Sequence, residues 1–208
     1  MASTLPGDES AAHRARTAID AALRKRARFA VDWLAARGVR PDHVTIGGLV
    51  VVAAAAVLIA FGWLTLGGIV FLFGSALDGL DGELARHGGG ERASAFGGVL
   101  DSTADRVGEG LTFAGLAAYF AGAGDTTAVV ATVLAMTGAN LTSYVRARAE
   151  AAGIACRDGL CTRFERVLIL GIGTAVHLPE AAVYLLTLLT FVTVAQRLGT
   201  VRRGLREE

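Results

Sequence analysis

Long apolar runs separated by short polar segments dominate the pattern of this chain. From Val44 to Leu77 there are 34 consecutive residues without a charge. A helix that crosses a bilayer needs about 20 apolar residues, so this run predicts two spans joined by a turn near residues 61–68, with Trp63 at the membrane interface. Four further spans are predicted at about residues 96–121, 126–147, 164–179 and 180–199. The predicted fold is an all-α integral membrane protein with six transmembrane helices.

The positions of the basic residues predict the topology. The 20 lysines and arginines lie in the N-terminal segment, around the second and fourth connections between spans, and at the C-terminal tail. The other three connections, near residues 63–67, 122–126 and 177–181, contain none. Basic residues flank the cytoplasmic ends of membrane spans. We therefore expect a multi-pass protein of the cell (inner) membrane with both termini in the cytoplasm.

The N-terminal segment predicts a helix at the membrane surface. Residues 11–38 mix apolar positions such as Leu23, Phe29 and Trp33 with a cluster of basic residues. This pattern is typical of an amphipathic helix on an anionic leaflet, and a solvated charged helix is the alternative. The predicted organisation is an interfacial segment at 1–40, a six-helix domain at 41–200 and a cytoplasmic tail at 201–208.

Composition and charge exclude several other classes of protein. The chain is 53% hydrophobic, with a mean hydropathy of +0.50 and a formal net charge of +1. These values disfavour a disordered chain, a disulfide scaffold and a basic nucleic-acid-binding protein, so no nucleic-acid partner is expected.

Cys156 and Cys161 fall on a predicted cytoplasmic connection, where a disulfide is not expected. Two cysteines without a nearby histidine do not make a zinc site.

Four aspartates stand where a membrane span should avoid charge. Asp78 and Asp81 lie at the end of the second predicted span, and Asp101 and Asp105 lie in the first part of the third. Spacings of three and four residues place each pair on one helix face, and antiparallel neighbouring spans would bring all four together near the cytoplasmic end. Clustered carboxylates need a cation, and hard oxygen ligands suit Mg²⁺ or Mn²⁺. Solvated aspartates at helix ends are the alternative.

The motif formed by these residues resembles that of a known enzyme family. The strings Asp81-Gly82-x-x-Ala85-Arg86 and Gly97-x-x-x-Asp101-x-x-x-Asp105 are similar to the signature of the CDP-alcohol phosphotransferases, and the six-span pattern extends the resemblance over most of the chain. The resemblance implies that a CDP-linked lipid, CDP-diacylglycerol, binds at the cytoplasmic face. An acceptor hydroxyl then attacks the β-phosphorus and CMP leaves. It also suggests a homodimer.

The resemblance assigns roles to individual residues. Two Mg²⁺ ions, or Mn²⁺, would form the clamp used for substitution at phosphorus, and Asp105 would also act as the general base. The metal ligands would be Asp78, Asp81, Asp101 and Asp105. Contacts to the CDP-lipid would come from Pro41, Asp42, His43, Val44, Gly82, Arg86 and Ser94.

A second string indicates the acceptor. Ser143-Tyr144-Val145-Arg146-Ala147-Arg148-Ala149-Glu150 resembles the corresponding segment of the phosphatidylinositol phosphate synthases within this family, which implies inositol phosphate as the acceptor. On that basis the acceptor phosphate would be held by Ser143, Arg146, Arg163, Arg166 and Arg197. The alternative for any one arginine is simple flanking of a span.

Three interpretations remain open at this point. A phosphatidylglycerophosphate synthase would share the core motif and use glycerol phosphate as the acceptor. A small six-span transporter would use the aspartates as an ion site. Glu109, four residues after Asp105, is expected to pair with an arginine or to line a wet cavity, with support of the metal site as the alternative.

Overall fold

A computed structural model describes residues 29–86, 94–156 and 159–205, apart from the side chains of Asp81 and Arg86. The regular structure of these residues is helical throughout, as predicted. Helix α1 covers 29–36 of the described chain, and most of the predicted interfacial helix lies outside the described residues. The helices that follow are α2 (Pro41–Ala60), α3 (Leu64–Arg86), α4 (Ala95–Gly122), α5 (Thr126–Ala151), α6 (Arg163–Ala175) and α7 (Pro179–Gly204).

Four of these helices have the length and composition of membrane spans. They are α2, α3 over Leu64–Ala85, α5 and α7, with mean hydropathies of 2.3, 1.4, 1.4 and 1.6 over their best windows. Helix α4 is longer, at 28 residues, but its first 15 residues carry four charged groups. Helix α6 has only 13 residues, or about 20 Å of rise. The described residues therefore form a multi-pass membrane protein with four helices that meet both criteria.

Local sequence explains where the helices that carry the polar residues begin. The Ser94 Oγ accepts a hydrogen bond from the Gly97 backbone N–H at 2.8 Å and caps α4. Before α6, Thr162 and Glu165 form a reciprocal capping box, in which the Thr162 N–H donates to the Glu165 carboxylate at 2.8 Å. Such caps satisfy backbone donors that have no partner within the helix. They also fix the direction in which the first side chains of α4 and α6 point.

The end of the fifth span was predicted too late in the chain. It was expected to reach residue 179, but α6 ends at Ala175. His177 adopts a positive φ of 61°, which a helix does not tolerate, and Pro179 then begins α7. Proline is favoured at the first position of a helix and unfavourable inside one. The connection therefore covers residues 176–178, close to the predicted connection near residues 177–181.

The six long helices pack in a closed ring. Each packs mainly against two others, and the order around the ring is α2, α3, α6, α7, α5 and α4. Small residues permit the close crossings. A Cβ on Gly68 would lie 2.6 Å from both the Ala175 nitrogen and the Gly171 oxygen, so α3 and α6 touch through their backbones. Close approach of this kind is typical of packing between helices in membranes.

Candidate active site: an aspartate cluster beside an arginine-rich cavity

Three of the four signature aspartates meet between α3 and α4. Asp78 comes from α3, and Asp101 and Asp105 come from α4. One carboxylate oxygen from each lies within 4.8 Å of the others, and all three side chains are partly buried. Three hard oxygen ligands at this spacing could hold a divalent cation such as Mg²⁺ or Mn²⁺. The side chain of Asp81, the fourth predicted ligand, lies outside the described part of the chain.

Arg163 pairs with two of these aspartates. Its Nη1 lies 2.7 Å from Oδ2 of Asp78, and its Nη2 forms an ion pair with Oδ1 of Asp105. Arg163 is the first residue of α6, so one guanidinium connects α6 to both α3 and α4. The sequence predicted this arginine as a ligand of the acceptor phosphate. In the structure its guanidinium contacts two of the residues that were predicted to bind metal.

A second ion pair joins α4 and α6 across the interior of the ring. Arg166 Nε lies 2.6 Å from Glu109 Oε1, and Nη2 lies 2.9 Å from Oε2. The side chain of Arg166 is only 2% exposed and that of Glu109 is 12% exposed. This bidentate geometry is the strongest arrangement for an arginine and a carboxylate. Glu109 therefore pairs with an arginine, as expected from the sequence.

The five residues predicted to hold the acceptor phosphate line one cavity of about 310 Å³. Five arginines and three carboxylates face this space, so their formal net charge is +2. The arginine-rich cavity, as we call it, is lined by Ser102, Asp105, Arg106, Glu109, Ser143, Arg146, Ala147, Glu150, Thr162, Arg163, Arg166 and Arg197. Sequence reasoning missed Arg106 as a lining residue, although it follows Asp105 directly on α4.

Two of the cavity arginines have contrasting environments. Arg197 is 3% exposed and donates from Nη1 to the Thr142 carbonyl oxygen at 2.6 Å, which joins α7 to α5. Arg146 is about half exposed and pairs with Glu150 one helical turn away, with Nε 2.8 Å from Oε1. Arg197 is therefore fixed by the fold, whereas Arg146 lies at the solvent side of the cavity.

The connection between α5 and α6 is anchored to α7. The Leu160 N–H donates to Gln196 Oε1 at 3.1 Å, and the Cys161 N–H donates to Thr193 Oγ1 at 3.0 Å. These bonds hold the chain immediately before Arg163. Burial raises the pKa of the Cys161 thiol to about 11, so the thiol is neutral and is a poor nucleophile. No pattern in the sequence marks Thr193 or Gln196 for this positioning role.

A second, smaller space adjoins the aspartates on the side of α2. This apolar crevice lies between α2, α3, α4 and α6, and its lining includes Thr45, Gly48 and Gly74 together with Asp78. Asp105, Glu109 and Arg163 line both the crevice and the arginine-rich cavity. The two spaces therefore meet at a shared wall of charged side chains.

The residues predicted to bind the CDP-lipid lie at helix ends, and those that the structure describes line neither the crevice nor the arginine-rich cavity. Pro41, Asp42, His43 and Val44 form the first turn of α2, where His43 is exposed. A Cβ on Gly97 would lie 3.0 Å from Ser94 Oγ and 3.5 Å from Asp42 Oδ1, so the start of α2 and the start of α4 are close together. Gly82 lies in the last part of α3, and the Arg86 side chain is outside the described residues.

Comparison with known proteins assigns this arrangement to a family. A family model described as CDP-alcohol phosphatidyltransferase matches residues 39–196. The phosphatidylinositol phosphate synthase of Mycobacteroides abscessus is 43% identical over 175 residues, which cover 79% of this chain and 78% of that protein. The archaetidylinositol phosphate synthase of Methanothermobacter thermautotrophicus is 36% identical over 183 residues, which cover 85% and 90%.

Solved structures give the same result. The crystal structure of Mycobacterium tuberculosis phosphatidylinositol phosphate synthase with CDP-DAG bound matches with a TM-score of 0.78 at 34% identity, covering 84% of this chain and 92% of that one. The structure of the same enzyme in complex with manganese and citrate matches with a TM-score of 0.77 at 35% identity, covering 82% and 86%. Fold and sequence therefore agree over most of both chains.

Proposed function

The chain belongs to the CDP-alcohol phosphatidyltransferase family, and on that premise we propose that it transfers a phosphatidyl group from CDP-diacylglycerol to inositol phosphate and releases CMP. The observation that carries the proposal is the arginine-rich cavity, which opens directly onto Asp105. An acceptor phosphate held there would keep a neighbouring hydroxyl within reach of the aspartate cluster. The names of the relatives at 36–43% identity support inositol phosphate as the acceptor. Membership of an enzyme family replaces the transporter interpretation.

The charge of the cavity suits this acceptor. A phosphate monoester carries about −1.5 to −2 charges at neutral pH, and the lining groups sum to +2. Arginine forks bind phosphate oxygens in a bidentate manner and discriminate against neutral polyols. We therefore assign the acceptor phosphate to Ser143, Arg146, Arg163, Arg166 and Arg197. The carboxylate of Glu150 adjoins the same space and is suited to accept hydrogen bonds from polyol hydroxyls.

The transfer assigns each reacting atom to a group. The acceptor hydroxyl oxygen forms a bond to the β-phosphorus of the CDP-lipid, the bond from that phosphorus to the CMP oxygen breaks, and the hydroxyl proton passes to the Asp105 carboxylate. Asp105 suits this role because it lies in the wall between the crevice and the cavity, and a base must lie within hydrogen-bond reach of the proton. The buried Arg166–Glu109 pair keeps the neighbouring wall in place.

The aspartate cluster fits the divalent cations that the family implies. Three carboxylate oxygens within 4.8 Å of one another match the donor type that Mg²⁺ and Mn²⁺ prefer, and a relative binds manganese. Such a cation supplies charge neutralisation on the diphosphate. The proposed ligands are Asp78, Asp81, Asp101 and Asp105, with two Mg²⁺ ions as the proposed complement. For the CDP group we propose Pro41, Asp42, His43, Val44, Gly82, Arg86 and Ser94.

We also propose the arrangement in the membrane. Helices α4 and α6 would join the four apolar helices as spans, which gives six, with residues 41–200 as the catalytic domain. The connections at 61–63, 123–125 and 176–178 contain no lysine or arginine, which supports a cytoplasmic site and cytoplasmic termini in the cell (inner) membrane. Exposed Phe29 and Trp33 on α1 support an interfacial helix there. A homodimer follows from the family resemblance and is tested by cross-linking in the membrane.

One experiment tests the reaction and the acceptor together. Purified protein in detergent is given CDP-diacylglycerol and Mg²⁺ with inositol phosphate, glycerol phosphate or free inositol, and CMP release is measured. We expect release with inositol phosphate and none after EDTA treatment. Preference for glycerol phosphate would refute the acceptor and keep the family reaction. Release of no CMP with any acceptor would refute the reaction itself.

A further inference from the structure

Arg163 contacts the same carboxylates that a divalent cation would need. Its Nη1 lies 2.7 Å from Asp78 Oδ2, and its Nη2 pairs with Asp105 Oδ1. Both aspartates belong to the group of three whose oxygens lie within 4.8 Å of one another. A guanidinium held there and a cation among the same oxygens would be like charges at contact distance, and such charges repel strongly in a partly buried site. The Arg163 guanidinium and a cation therefore cannot both keep full contact with Asp78 and Asp105.

We propose that Arg163 is an internal competitor of the divalent cation for Asp78 and Asp105, and that it turns into the arginine-rich cavity when the cation binds. There its guanidinium becomes available to the acceptor phosphate. The residue would thereby couple binding of the cation to binding of the acceptor. This inference rests on the proposed function, because it takes the cation and the phosphorylated acceptor from it.

The geometry permits this exchange without movement of a helix. Arg163 begins α6, and the capping box of Thr162 and Glu165 fixes the backbone at that point. The side chain is 39% exposed and lines both the apolar crevice and the arginine-rich cavity. Rotation of its flexible stem is therefore enough to carry the guanidinium from one space to the other. Arg166, three residues later, has no such freedom, since it is 2% exposed and bound by Glu109.

Other groups around the aspartates do not take the same position. The Arg106 Nη1 donates to the Ser102 carbonyl oxygen at 2.5 Å, and Arg146 pairs with Glu150. Among the described ion pairs, Asp78 and Asp105 share Arg163. Coupling between two ligands is reciprocal. An anion that draws Arg163 into the cavity must therefore favour the cation as much as the cation favours the anion.

Binding of Mn²⁺ to the full-length protein in detergent, without either substrate, tests the competition. Electron paramagnetic resonance measures free Mn²⁺ and gives a Kd. For Arg163→Gln we expect a Kd about tenfold lower than in the wild type, since hydrogen bonds to charged groups contribute on that scale. Arg146→Gln removes the same charge from the same cavity without touching the aspartates, and its Kd should stay within about twofold of the wild type. An unchanged or higher Kd in Arg163→Gln, or equal tightening in both variants, would overturn the proposal.

A third variant separates this inference from the proposed function. Asp101→Asn should abolish the Mn²⁺ binding seen in the wild type. If Asp101→Asn binds Mn²⁺ as well as the wild type does, or if the wild type binds none, the metal site of the proposed function is refuted. The competition with Arg163 is then refuted as well. If the wild type binds and Arg163→Gln is unchanged, only the competition fails.

Inorganic phosphate tests the coupling. Direct contact between phosphate and Mn²⁺ would lower the Mn²⁺ Kd equally in the wild type and in Arg163→Gln. In the wild type we expect a larger decrease, because phosphate also draws Arg163 away from the aspartates. Equal effects in the two proteins would refute the coupling. Should Arg163→Gln fail to fold, Arg163→Lys replaces it. A lysine keeps the charge but lacks the fork that contacts two carboxylates, so we expect its Kd to fall between wild type and tenfold tighter, and a wild-type value would count against the proposal.

Discussion

The buried ion pair between Glu109 and Arg166 gives a sharp prediction for stability. Replacing Glu109 by alanine leaves the Arg166 guanidinium, 2% exposed, without the two hydrogen bonds of 2.6 and 2.9 Å. Removing one partner of a buried pair costs about 3–5 kcal/mol, because the other charge stays desolvated and unpaired. The same change also removes the side-chain bridge between α4 and α6.

The measurement is thermal unfolding in detergent with a matched control. For a chain of about 200 residues, each kcal/mol shifts the Tm by about 2–4 °C, so Glu109→Ala should lower the Tm by about 6–20 °C. Glu150→Ala breaks the exposed Arg146–Glu150 pair in the same cavity. Exposed pairs contribute about 0.2–1 kcal/mol, so the control should lose no more than about 4 °C.

A double-mutant cycle separates the pair from general effects of either deletion. Replacing both Glu109 and Arg166 by alanine should cost less than the sum of the single changes, since neither charge is then left alone. A Tm for Glu109→Ala within about 2 °C of the wild type, or additive effects in the cycle, would refute the view that this pair holds α4 and α6 together.

Three further predictions address the reaction and the packing. Asp105→Asn should abolish CMP release while the protein keeps its Tm within a few degrees; an active variant would contradict its role as the base. Arg146→Ala should raise the KM for inositol phosphate by about 10- to 100-fold with little change in the KM for the CDP-lipid, and an equal rise in both would contradict its place at the acceptor. Gly68→Ala should lower the Tm, since its Cβ would lie 2.6 Å from backbone atoms of α6 and overpacking costs about 1–3 kcal/mol. Gly110→Ala, whose Cβ meets nothing within 4 Å, is the matched control and should leave the Tm unchanged or higher.

Much of the site follows from local sequence rules. The four-residue spacing of Asp101 and Asp105 on α4, together with the antiparallel neighbour α3, was enough to predict that Asp78 lies beside them. The arginines were predicted to converge because they stand at the same ends of their helices. Both inferences use helix periodicity and alternation of direction, which depend on few long-range details.

The pairing of individual side chains was harder to predict. Arg163 and Arg166 are three residues apart in the same turn of α6, yet one contacts the aspartate cluster and the other is buried against Glu109. That difference depends on the rotation of α6 in the ring, which the close contact at Gly68 helps to set. The connection between the last two spans was predicted near residues 177–181, and α6 ends slightly earlier because the positive φ of His177 has no signal in hydropathy. Ser94 was assigned to the ligand from the resemblance, and its role as the cap of α4 emerged from the structure.

The wall shared by the apolar crevice and the arginine-rich cavity has a consequence for the interpretation of variants. Asp105, Glu109 and Arg163 line both spaces, so a substitution at any of these three residues changes the shape and the charge of both spaces at once. A substitution at Gly74 changes the crevice alone, and one at Arg146 changes the cavity alone. Only variants of this second kind can assign a defect in lipid binding or in acceptor binding to one of the two spaces.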